Sequence, residues 1–315
     1  MTEIIQQFEV PLELAGQRLD KVAATLFEEF SRVELARWIA EGSLTLDGAV
    51  SKPRTRLLGG EVLRLTAQRS KRELWDEAQP MALDILYQDE HLLILNKPAG
   101  LVVHPGAGNA AGTLVNGLLN LRPELAQLPR AGVVHRLDKD TSGVMVVAAS
   151  ALAHKQLTRM IAEREFERRY RGICEGRMVA GQDVDAPIGR DPHVRTRQAV
   201  REDGKPAYTE FRVQQRFRAH TLVQAKLGTG RTHQIRVHLK SIGYPLVGDR
   251  RYGARGKLPQ AAHPDLVQLI QGFPRQALHA HELGLTHPQT EEWLAFTAPV
   301  PEDMQHLLDA LAADV

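Results

Sequence analysis

Between residues 131 and 149 two apolar runs, 132–134 and 143–148, flank a knot of charge: His135-Arg136-Leu137-Asp138-Lys139-Asp140-Thr141-Ser142. A tight connection between two buried strands needs only Gly, Asn, Asp or Ser. It does not need a histidine, two cations and two carboxylates within six residues. Alone, the stretch fits a salt-bridged turn as well as a site of chemistry, because ion-pair networks also gather charge without reacting. The flanking runs predict two buried strands that deliver this loop.

A chain of 315 residues is long enough for a sizeable core and for two domains. Lys plus Arg number 40 against 38 Asp plus Glu, so a nucleic-acid surface would have to be local. The single cysteine, Cys174, excludes an internal disulfide and a cysteine-based zinc site and fits a reducing cytoplasm. No apolar run approaches a membrane span, and the N-terminus does not read as a signal peptide.

Leu19, Val22, Ala23, Leu26, Phe27 and Phe30 recur at helical spacing. A second helix starts at Ser31, with Glu34 completing a capping box, and stops at Gly42. Leu44-Thr45-Leu46 then reads as a strand, Asp47-Gly48 as a turn, and 61–65 as a returning strand. Residues 69–79 are polar and read as a linker.

Beyond the linker, strands are expected at 83–87, 92–95 and 101–103, and helices after Thr113 and Ser150. From Phe166 the pattern alternates, placing Phe166, Arg168, Tyr170 and Gly172 on one strand face. Residues 185–198 read as an arginine-rich loop suited to phosphate contact. Two more strands, 208–213 and 221–227, precede Gly230-Arg231-Thr232-His233-Gln234-Ile235-Arg236-Val237-His238, where a helix begins and runs to Gly243. His233 and His238 are five apart and do not share a helix face, and no third ligand accompanies His279 and His281, so no metal site is expected. A strand at 292–296 and a helix near 302–311 close the chain.

His-Arg-Leu-Asp followed by Lys-Asp-Thr-Ser-Gly resembles the active-site signature of the RluA-type pseudouridine synthases. Asn96-Lys97-Pro98-Ala99-Gly100, Val103-His104-Pro105-Gly106, the segment around Arg231, Pro245-Leu246-Val247-Gly248-Asp249 and Arg275-Gln276-Ala277-Leu278-His279 also match that family. The resemblance implies that Asp138 is catalytic, that Tyr170 stacks on the uracil and helps remove its C5 proton, and that Arg231 pairs with Asp138. The N-terminal helix pair and hairpin resemble the S4 RNA-binding domain, a module that presents basic side chains to RNA phosphates.

The expectation is therefore an α+β protein. It has an S4-like RNA-binding domain over 16–78 and a pseudouridine synthase catalytic domain over 80–315, whose mixed, mostly antiparallel sheet carries a central cleft. Candidate RNA contacts are Arg32, Arg37, Lys52, Arg54, Arg136, Arg190, Arg195 and Arg197. The expected substrate is 23S ribosomal RNA or the assembling large subunit, in the stem-loop of helix 69, with no cofactor, no membrane partner and a monomeric enzyme. Other ribosomal sites, or a non-catalytic RNA-binding assembly factor, are the alternative readings.

Overall fold

The structure is a computed structural model that describes residues 3–27, 30, 32–68, 77–106, 109, 111–194, 196–254 and 256–314. The chain divides into two compact units, Met1–Glu73 and Leu74–Val315.

In the first unit, β1 (Glu3–Glu9), β3 (Val62–Gln68) and β2 (Leu44–Leu46) form an antiparallel sheet in that order. Against it pack α1 (Leu19–Leu26) and α2 (Arg32–Glu41). Leu19, Val22 and Ala23 share one face of α1, and Leu35, Trp38 and Ile39 one face of α2; all are buried with Leu44, Leu63 and Leu65. Asp47 and Gly48 both take positive φ (49° and 78°), the conformation that makes Asp-Gly a favoured two-residue turn. The unit begins before the expected boundary at residue 16, because β1 pairs along the whole of β3. Most of the expected linker, 69–76, lies outside the described residues, as does the Ser31 cap.

The second unit is built on one large sheet. Its strands are β4 (Asp84–Gln88), β5 (Leu92–Lys97), β6 (Ser142–Ala148), β7 (Glu167–Glu175), β8 (Gln182–Asp185), β11 (Tyr208–Arg216), β12 (His220–Leu227), β13 (Leu278–Thr286) and β14 (Trp293–Thr297). A separate hairpin pairs β9 (Ile188–Arg190) with β10 (Gln198–Val200). The order is β4-β5-β6-β13-β7-β12-β11-β8, with β14 also on β13. Every pairing is antiparallel except β13 with β6. Five helices accompany the described strands: α3 (Leu114–Leu121), α4 (Ala151–Glu163), α5 (Gln234–Ser241), α6 (Pro264–Gly272) and α7 (Glu302–Ala313). All seven residues of β6 are buried, as a continuous apolar run requires of a strand covered on both faces. The Ser150 side chain accepts from Ala153 N at 3.1 Å, capping α4 as expected.

Three local expectations give way. Residues 132–134 form no strand; only Val133 bridges to Val147, because Arg130, Ala131 and Gly132 are all left-handed (φ 54°, 52° and 78°). Residues 101–103 are not a strand either, since the carbonyls of Val102 and Val103 accept from Leu114 N and Val115 N at the start of α3. The arginine-rich loop at 185–198 contains β9 and the start of β10, and α6 was not anticipated.

Ala280 of β13 fixes the spacing of the functional strands. It faces Gly143 of β6 on one side and Tyr170 of β7 on the other. Two strand spacings, about 10 Å in all, therefore separate these backbones. The approach on the β6 side is close: a Cβ on Gly143 would lie 2.1 Å from Ala280 O, and Gly143 has φ 117°. Gly143→Ala is expected to lower unfolding stability by more than the ~1–3 kcal/mol of backbone strain alone, measured as a shift of the urea midpoint; an unchanged midpoint would contradict this account.

Candidate active site

Asp138 lies in the loop that precedes β6, and its neighbours hold it by alternate burial. His135 turns inward, where its Nε2 accepts from Val146 N at 3.1 Å and its ring meets Phe166 edge-on. Burial, helped by the charge of Arg168, pulls the His135 pKa down to about 3. The imidazole is therefore neutral, with a structural duty. Leu137 is buried in the core, whereas Arg136 and Lys139 are exposed. The Asp138 side chain is 21% exposed, enough to meet a substrate while anchored from behind.

The loop's backbone is clamped by two buried cations. Lys97 is fully buried, and its ammonium donates to the carbonyls of Pro98, Leu101 and Lys139 at 2.8, 2.9 and 2.9 Å. Burial brings its pKa down to about 8, against the opposing charges of Asp140 and Asp138. Arg275 donates to Asp140 O at 3.1 Å while gripping Asp303 of α7 through two nitrogens. Gln276 adds a bond to Thr141 Oγ1, and Gly100 N a bond to Lys139 O.

The arginine on Asp138 is Arg236, not Arg231. Arg236 Nη1 donates to Asp138 Oδ2 at 3.0 Å, and its Nε and Nη2 hold Asp249 at 2.6 and 2.9 Å. Burial works against its charge, but the hydrogen bonds and charge of Asp249 and then of Asp138 raise its pKa above the ordinary arginine value. Arg231 instead lies in the turn before α5, where its Nε donates to Pro206 O at 3.0 Å and its backbone N–H to Gln234 Oε1. Both arginines stand in one sequence motif, and only the start of α5 at Gln234 decides which one faces the carboxylate.

Sequence reasoning also missed the frame around this pair. His233 caps α5 in a left-handed conformation (φ 59°), with Nε2 3.8 Å from Asp138 Oδ1. Its Nδ1 lies 2.6 Å from the Tyr252 hydroxyl, which also accepts from Gln198 N at 2.9 Å. Burial keeps the His233 pKa below its usual value. The Arg236 guanidinium also stacks over the Tyr252 ring, 4.9 Å from its centroid. The segment Leu246-Val247-Gly248-Asp249 was the one sequence signal for Asp249.

Tyr170 is 7% exposed on β7, and burial pushes its pKa up to about 12, with Arg168 opposing and Asp138 adding to the shift. Near neutral pH it is a protonated phenol, which suits a ring face and an O–H donor better than a base for the C5 proton.

The expected RNA contacts are scattered. Arg32 and Arg18 fork onto the buried Asp20, whose carboxyl they hold below its ordinary pKa against the effect of burial. Arg37 lies 4.0 Å from Glu41. Lys52, Arg54, Arg136 and Arg190 are exposed, Arg197 is half-buried, and Arg195 lies outside the described residues. No group of three or more His, Cys, Asp or Glu side chains converges as a metal site among the described residues.

The site is thus an aspartate loop, carried by a mostly antiparallel sheet and held against a helix-borne arginine. The profile for "RNA pseudouridylate synthase" matches residues 91–241, and the chain belongs to that family. It is a pseudouridine synthase, an isomerase. It is 51% identical to ribosomal large subunit pseudouridine synthase D of Pseudomonas aeruginosa, over all of this chain and 98% of that protein. It is 50% identical to the protein of the same name from Vibrio vulnificus, over 95% of this chain and 92% of that one. Among solved structures, human RNA pseudouridylate synthase domain containing 4 superposes with a TM-score of 0.57 at 29% identity, covering 73% of this chain and 93% of its own.

Two expectations test this geometry. Arg236→Ala strands two carboxylates and is expected to cost ~3–5 kcal/mol of stability and to abolish tritium release from RNA carrying [5-³H]uridine, whereas Arg231→Ala stays within a few-fold of wild type. Equal losses for the two would return Arg231 to the site. The depressed His135 pKa means the unfolded chain binds the extra proton, so its contribution is complete above about pH 6.5 and is lost as pH falls toward 3. His135→Gln should therefore shrink the stability difference between pH 7 and pH 5, followed by urea unfolding, by ~2 kcal/mol.

Proposed function

We propose that this chain converts uridine to pseudouridine in 23S ribosomal RNA, in the stem-loop of helix 69, with Asp138 as the catalytic carboxylate. The target rests on near full-length likeness to proteins named for the large ribosomal subunit. The site rests on one observation: Arg236 fixes Oδ2 of Asp138 at 3.0 Å, while among the described residues Oδ1 has no hydrogen-bond donor and meets His233 Nε2 at 3.8 Å. One oxygen is held, and the other faces the incoming nucleotide.

The reaction breaks the bond between C1′ and N1 of uracil and re-forms it from C1′ to C5 of the same ring. No redox change and no outside group is involved, so one carboxylate at the sugar suffices; the departing base is also the incoming nucleophile. A glycosidase of ordinary type needs a second carboxylate to activate water. Here the nearest in sequence is Asp140, whose charge acts on the buried Lys97 ammonium. Tyr170 supplies the face on which the base rests and turns.

The uridine must first leave its stack, at a cost of a few kcal/mol, offset by contacts to the backbone. Arg136, exposed two residues before Asp138, and Arg190, exposed at the end of β9, are candidates in the catalytic unit. The N-terminal unit, with its helix pair and three-stranded sheet, serves as an S4-like RNA-binding domain through Lys52, Arg54 and the basic residues of α2. The enzyme works as a cytoplasmic monomer without a cofactor.

Carbodiimide-stop mapping of large-subunit RNA provides the test, in cells with no copy of the gene, the wild-type copy, or Asp138→Ala. Helix 69 sites are expected with wild type alone. Sites elsewhere would overturn the target and keep the reaction; full modification with Asp138→Ala would remove Asp138 from the chemistry.

A further inference from the structure

Three arginines are buried among the described residues: Arg168, Arg236 and Arg275. Arg236 is held by Asp249 and Asp138, and Arg275 by Asp303. Arg168 is 7% exposed, has no carboxylate within ion-pair distance among the described residues, and leaves its Nε with no hydrogen-bond partner. Its neighbour Arg169, on the other strand face, takes both nearby carboxylates, Glu167 and Glu282. An unpaired buried guanidinium is costly to keep. It is retained where a negative charge arrives during function.

The position says which charge. Arg168 stands two residues before Tyr170 on the same face of β7, in the arrangement that brings alternate strand residues together. Its charge reaches both Tyr170 and His135. Its Nη1 lies 2.9 Å from where a Cβ of Gly230 would stand, so it packs over the Gly228–Gly230 turn that leads to α5 and Arg236. It therefore borders the same space as the Tyr170 ring and the Asp138–Arg236 pair. Within that pair the cation is already shared by two carboxylates, so the uncommitted positive charge beside the base is Arg168.

We propose that Arg168 is the counter-cation of the detached uracil: its N–H groups donate to a carbonyl oxygen of the ring and stabilise the base as an anion while it turns. When the C1′–N1 bond breaks, its electron pair stays on the ring and spreads over N1, O2 and O4, and C1′ is left electron-poor beside Asp138. The ring then offers C5; a ring electron pair forms the C5–C1′ bond, C5 loses its proton and N1 gains one. The inference rests on the reading of Asp138 and Tyr170 as the site of reaction. It adds a catalytic residue that stabilises charge developing in the transition state, a role of the kind whose loss costs roughly 10²–10³ in rate.

The experiment compares wild type, Arg168→Gln, Arg168→Lys and Asp138→Ala on ribosomal RNA fragments with uridine or 5-fluorouridine at the target. Single-turnover loss of the target nucleoside and RNA affinity are both measured. Arg168→Gln is expected to bind RNA within about twofold of wild type and to react roughly 100-fold more slowly on uridine; Arg168→Lys regains at least about tenfold of that loss. On 5-fluorouridine, whose base is the more acidic leaving group, the Arg168→Gln deficit shrinks at least about tenfold, a dependence that a merely structural defect does not produce. Thermal unfolding reads the fold separately: removing an unpaired buried charge should leave Arg168→Gln at least as stable as wild type. If affinity falls in step with rate and turnover at saturating RNA is unchanged, Arg168 holds a phosphate and the proposal fails. An equal deficit on both bases, in either variant, also overturns it. Activity of Asp138→Ala would refute the underlying site reading instead.

Discussion

The catalytic unit depends on one guanidinium placed between two carboxylates. Arg236 presents one edge to Asp249 and a remaining N–H to Asp138. Burying a lone arginine or a lone aspartate is costly, but each member of this trio removes the other's penalty. Asp249, 2% exposed, is the buried member, and Asp138, with its side chain 21% exposed, is the one open to the surface. The stack of Arg236 on Tyr252, and the Tyr252 bond to His233, bring the start of α5 and the β10 backbone into the same frame. The carboxylate is thus aimed by three separate segments of chain.

A second set of contacts holds the loop from its backbone side. The carbonyls of Lys139 and Asp140 each accept from a buried cation, Lys97 and Arg275. Using backbone carbonyls as acceptors leaves the Asp138 side chain free of these cations' hydrogen bonds. Arg275 in turn ties the loop to Asp303 at the start of α7, where an acidic side chain complements the positive helix end. Through Arg275 the C-terminal helix therefore supports the loop that carries Asp138.

Arg168 stands against this pattern. The other strongly buried cations described here, Lys97, Arg236 and Arg275, all have their acceptors, whereas Arg168, beside Tyr170, lacks a carboxylate among the described residues and leaves its Nε unpaired. Function and stability pull in opposite directions at such a position, and the histidines show the complementary choice. His135, His104 and His279 are pulled down to about 3, 4 and 4 by burial first of all, so they are neutral and hold structure rather than charge.

Much of this was legible in the chain itself. The all-apolar run 143–148 determined a central strand, the Ser150 cap a helix, and the charge density at 135–140 a loop with work to do. The alternation from Phe166 put Arg168 and Tyr170 on one face, because a strand's side-chain period is two whatever it packs against. Which arginine meets Asp138 was not legible. Arg231 and Arg236 share one motif, and the choice follows from where the chain turns helical and which side chain Pro206 captures. Nor could the sequence foresee that 132–134 would turn left-handed, or that Val102 and Val103 would give their carbonyls to α3. Local pattern fixes faces and caps through contacts a few residues apart. Partners nearly a hundred residues apart along the chain, such as Asp138 and Arg236, are chosen only when the sheet and helices bring them to hydrogen-bonding distance.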